Sequence, residues 1–61
     1  MDVKVRVKAE LVETGHAMTK DELREALNLG EKADSLRKAL ERGLKRSEFV
    51  MTSDGRYMLP N

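Results

Sequence analysis

Sixty-one residues with a net charge of +1 can form one domain around one small core, here over residues 1–61. The chain has no cysteine and no tryptophan, which excludes a disulfide framework and a thiolate metal site and leaves aliphatic packing to hold the fold. No apolar run has the length of a signal peptide or a membrane span, so a cytoplasmic protein without a membrane partner is expected.

The first residues carry an ambiguous pattern. Val3, Val5, Val7, Ala9 and Leu11 alternate with Lys4, Arg6, Lys8 and Glu10, the period of a strand. Wound as a helix, the same segment has two apolar stripes, Val3/Val7/Leu11 and Val5/Ala9/Val12, and would pack on two sides. The alternation by itself tilts the reading towards a strand.

A helix is predicted from about Lys20 to Asn28. Thr19-Lys20-Asp21-Glu22 has the spacing of a capping box, and Met18 and Leu23 that of a hydrophobic staple. Asp21 and Glu22 stand where the helix dipole favours negative charge. Leu23, Ala26 and Leu27 form the buried stripe, and Asn28-Leu29-Gly30 supplies the stop.

A second helix follows after a short turn, from about Lys32 or Asp34 to Arg46. Leu36, Ala39, Leu40, Gly43 and Leu44 make one apolar face, with Lys38, Arg42 and Lys45 opposite and Arg37 and Arg46 flanking. Gly43 costs about 1 kcal/mol relative to alanine inside a helix. Its place on the apolar face predicts a close helix–helix crossing or an early helix end.

The chain then reads as a hairpin, with residues 49–52 and 56–59 flanking Ser53-Asp54-Gly55. A two-residue Asp-Gly turn would pair Met51 with Met58. A three-residue loop with Gly55 left-handed would pair Met51 with Tyr57 and Phe49 with Leu59. The second register gathers both aromatic residues and Leu59 on one face and is preferred. Pro60, which has no N–H to donate, ends the strand.

This order of elements resembles the winged helix-turn-helix family over about Val7 to Leu59. The resemblance is carried by Ala17-Met18-Thr19 before the first motif helix, by Leu23 and Leu27 within it, by Leu36/Leu40/Leu44 in the second, and by the hairpin from Phe49 to Leu59. It implies an α+β fold that is mainly α. A helix from about Val3 to Glu13 would precede the motif, and a short strand near His16-Ala17-Met18 would pair with the hairpin.

The function it implies is binding of double-stranded DNA, as a transcriptional regulator or a DNA-associated accessory factor. The helix Asp34–Arg46 would enter the major groove, and the turn at residues 53–56 would be the wing. Ser35, Arg37, Lys38, Arg42, Lys45 and Arg56 are the candidate DNA-binding residues. The arginines suit guanine edges or phosphates, and the lysines and serine suit the backbone. Because net charge is near zero, the placement of these cations has to supply the affinity.

No enzyme, cofactor, metal or small-molecule substrate is expected. His16 is the single histidine, placed in a turn with no thiol to activate. One histidine and scattered carboxylates do not compose a metal site. The competing expectation is a winged-helix protein–protein interaction module without DNA binding, with a homodimer or another protein as partner. That reading gains if Glu41 and Glu48 interrupt the positive surface made by Lys38, Arg42, Lys45 and Arg56.

Overall fold

The computed structural model describes residues 2–60. Three helices, α1 (Val3–Thr14), α2 (Lys20–Ala26) and α3 (Ala33–Lys45), precede an antiparallel hairpin of β1 (Val50–Met51) and β2 (Tyr57–Met58). A 3-10 turn, Gly30–Lys32, leads into α3. The protein is therefore a small α+β domain, mainly helical.

The N-terminal segment is a helix and not the strand that its alternation suggested. Asp2 caps it, its carboxylate accepting from the Lys4 N–H at 3.2 Å, and the Gly15 N–H closes the far end on the Leu11 carbonyl at 3.0 Å. Helical winding brings Val7 and Leu11 into the core, with Val3 packed against it. A strand would have put alternate residues on one face and left the surface of α1 that packs on α3 unmade. Burial of that stripe outweighs the modest β-preference of valine.

Helix α2 begins as predicted. Thr19 Oγ1 accepts from the Glu22 N–H at 3.1 Å, and Glu22 Oε1 accepts from the Thr19 N–H at 2.8 Å, so the capping box is complete. The helix ends two residues earlier than expected. Asn28 turns left-handed at φ 53°, and the N–H groups of Asn28 and Leu29 reach the carbonyls of Glu25 and Arg24. The chain stops in the same way after α3, where Ser47 has φ 58° and its N–H and that of Glu48 return to Leu44 and Gly43.

Leu23, Leu36, Leu40 and Phe49 are fully buried at the centre of the core, with Leu27, Leu29 and Met18 around them. Gly43 does not mark a helix–helix crossing or an early end. The helix runs on to Lys45, and the space beside Gly43 is filled by the Phe49 ring.

The hairpin has the preferred register, Met51 opposite Tyr57 and Val50 opposite Met58. Its turn places Gly55 at φ 81°, a conformation that side chains other than glycine rarely adopt. The free edge of β2 is paired as well. The Met18 N–H donates to the Tyr57 carbonyl at 2.9 Å, and the Tyr57 N–H to that of Met18 at 2.7 Å. The residue just before the α2 cap is thereby tied to the hairpin. Among the described residues, no helix is long and apolar enough to cross a membrane.

Candidate nucleic-acid interface

Helix α3 buries Leu36, Ala39, Leu40 and Gly43 and turns its other side outward. Ser35, Arg37, Lys38, Arg42 and Lys45 are all exposed on it, so the five candidate residues of this helix are accessible. Their charges, however, are not equally available.

The first half of the helix surface is internally neutralised. Arg37 donates from Nε and Nη2 to Asp34 Oδ1, at 3.1 and 2.8 Å, and from Nη1 to Glu41 Oε1 at 2.9 Å. Lys38 Nζ stands 3.5 Å from the other Asp34 oxygen. The Arg37 guanidinium, by its hydrogen bonds and then its charge, holds the Asp34 carboxyl below its ordinary range. Asp34, followed by Glu41, raises the pKa of Arg37 in return. Such exposed pairs at helical spacing contribute little to stability. Their larger effect is to occupy the Arg37 donors.

The second half is different. Among the described residues, Arg42, Lys45 and Arg46 have no carboxylate partner, and all three are exposed. They cluster in the last turn of α3 and just beyond it, where the helix dipole favours cations. Arg46 was not among the expected contact residues. Its signal is the basic run Arg42–Lys45–Arg46, in which helical periodicity sets Arg46 on the flank of the face that Arg42 and Lys45 share.

Arg56, at the hairpin turn, is half-exposed and paired with two acids. Its Nη1 donates to Glu22 Oε1 at 2.9 Å and its Nε to Asp54 Oδ2 at 3.1 Å. The Glu22 carboxyl is lowered in pKa first by its bond from the Thr19 N–H and then by the Arg56 charge. Asp54 is lowered chiefly by the Thr52 hydroxyl, with Arg56 adding to it.

Of the two acids whose placement bears on the Lys38/Arg42/Lys45/Arg56 surface, Glu41 pairs with Arg37, outside that set. Glu48 instead joins the end of α3 to α1, pairing with Lys4 at 3.0 Å and Lys8 at 2.8 Å. His16 is exposed in the turn after α1, its Nδ1 2.9 Å from the Ala17 carbonyl oxygen. Among the described residues, no group of three His, Cys, Asp or Glu side chains is placed to hold a metal ion.

In comparisons with known proteins, no family model, no curated protein and no solved structure matches this chain significantly.

Proposed function

We propose that this domain binds double-stranded DNA as a winged helix-turn-helix protein, serving as a transcriptional regulator or a DNA-associated accessory factor in the cytoplasm or nucleoid. The observation that carries the proposal is the cation cluster Arg42, Lys45 and Arg46 on a helix whose opposite side is buried. In this reading α3 is the recognition helix, α2 braces it, and the 53–56 turn is the wing. The Met18–Tyr57 pairing supports the wing assignment, because it ties the hairpin to the start of α2.

Arg42 and Lys45 carry the approach to phosphate, and Arg42 is the residue best suited to a guanine edge. Lys38 and Ser35 would contact the backbone. Arg37 would exchange Asp34 and Glu41 for phosphate only at the cost of its present hydrogen bonds. Three or four phosphate contacts give a weak, salt-sensitive complex, with a log–log slope of about −3 to −4.

The competing reading, a docking module for another protein, is favoured by the Asp34–Arg37–Glu41 network, which removes charge from the first half of the helix surface. Fluorescence anisotropy of a labelled duplex decides between them. Wild type should bind at low salt and release as salt rises, and Arg42→Ala/Lys45→Ala should weaken binding at least about tenfold. A folded wild-type protein that leaves the duplex free at low salt overturns the DNA reading.

A further inference from the structure

Helix α1 has two apolar stripes, and the monomer uses one. Val7 and Leu11 are buried, whereas on the opposite side Val5 is 49% and Val12 69% exposed, with Ala9 exposed between them. The i, i+4, i+7 spacing sets these three residues in one line along the helix. At its Val12 end the line opens onto a shallow groove of about 220 Å³, bounded also by Leu11, Ala17, Met58 and Leu59.

The charges of α1 say what fits this face. Lys4 and Lys8 are held by Glu48 of the same chain, which leaves Arg6 as the cation before Ala9, with Glu10 and Glu13 after it. A helix whose charge changes sign at its midpoint is complementary to a second copy of itself running the other way. We propose that the Val5/Ala9/Val12 face of α1 is an isologous dimer interface, in which two copies pack their α1 helices antiparallel about a two-fold axis beside Ala9.

In that arrangement Val5 of one copy packs on Val12 of the second, at the mouth of its groove. The small side chain of Ala9 lets the helix axes approach to about 8–10 Å. Arg6 comes level with the turn that bears Glu13 of the second copy. Arg6 uses Nη2 on the Leu27 carbonyl, at 2.7 Å, which leaves the rest of its guanidinium for a carboxylate. Glu13 has no cation partner among the described residues of its own chain. The antiparallel helix dipoles also attract. A closed two-fold contact of this kind requires a face complementary to itself, and both the apolar line and the charge order of α1 meet that condition.

The inference does not depend on the DNA reading and is tested without DNA. A 12-residue helix is about 18 Å long, so the interface is small and the dimer should dissociate in the micromolar range or above. Sedimentation equilibrium should show the wild-type mass rising towards twice the monomer with concentration. Val12→Glu, at an exposed position, should raise the dissociation constant at least about tenfold while leaving the circular dichroism spectrum unchanged.

Because the chain has no cysteine, oxidative crosslinking reads the register directly. Ala9→Cys should crosslink to itself, since facing Cα atoms on closely packed helices come within disulfide reach. Val5→Cys should crosslink to Val12→Cys faster than to itself. A wild-type protein that stays monomeric to millimolar concentration overturns the proposal. So does a dimer that Val12→Glu leaves intact, or one in which Val5→Cys prefers its own copy.

Discussion

The ring of Phe49 occupies the volume that a side chain on Gly43 would need: a Cβ there would overlap ring atoms Cδ2 and Cε2. The two residues are also joined through the backbone, since the Phe49 N–H reaches the Gly43 carbonyl at 3.3 Å and the Glu48 N–H the same oxygen at 2.8 Å. The glycine thus lets the chain fold back over the end of α3 and start the hairpin with its aromatic residue inside the core.

Gly43→Ala should therefore destabilise the protein. Alanine gains about 1 kcal/mol of helix propensity, but overpacking a fully buried ring costs about 1–3 kcal/mol or more. The expected net effect is a loss, read as a lower midpoint in urea unfolding. A midpoint equal to or above wild type would mean that the ring relocates without cost.

The Glu48 pair with Lys4 and Lys8 makes stability depend on pH. Lys8 and then Lys4 pull the Glu48 carboxyl from 4.5 down to about 2 in the folded protein. With the folded value depressed, the contribution is complete above the ordinary carboxyl pKa and is lost as pH falls through the folded one. The thermal midpoint should drop between about pH 5 and pH 2 more steeply in wild type than in Glu48→Gln. At neutral pH the variant should be the less stable, and the two curves should converge near pH 2. Parallel curves across this window would show that the pair contributes nothing to folding.

Glu22 holds Arg56 at 2.9 Å, so on the DNA reading it competes with phosphate for that guanidinium. Glu22→Gln removes the charge but keeps a side chain that can complete the capping box. DNA affinity should rise severalfold, with the salt slope steeper by about one. Adding Arg56→Ala should cancel the gain. If the gain survives that second change, it arises elsewhere than at the wing.

Thr19→Ala should cost about 1 kcal/mol, the usual value of an N-cap oxygen. Helix α2 has only 7 residues, so the loss falls on a short element that tertiary contacts must hold. Chemical denaturation and amide exchange at Glu22 would both register it.

Features written in neighbouring residues were legible in the sequence. The capping box needs only Thr19 and Glu22 three apart, and the hairpin register needs only Gly55 and the aromatic side on which Phe49 and Tyr57 fall. The charged pairs within α3 lie at helical spacing, and a pairing of Glu41 with a neighbouring arginine is legible from it, whereas the bonds from Arg37 to Asp34 were not anticipated. The Arg56–Glu22 and Lys8–Glu48 pairs join residues 34 and 40 positions apart, and no local pattern announces them.

Sequence alone determined where α2 and α3 lie, which leucines face inward and how the hairpin turns, because capping, periodicity and turn geometry act over a few residues. Tertiary structure alone decided that residues 3–14 wind as a helix, since their pattern satisfies both periods and only burial of Val7 and Leu11 beside α3 separates them. It likewise decided which cations remain unpaired, because a long charged side chain takes whichever partner the folded surface brings within reach.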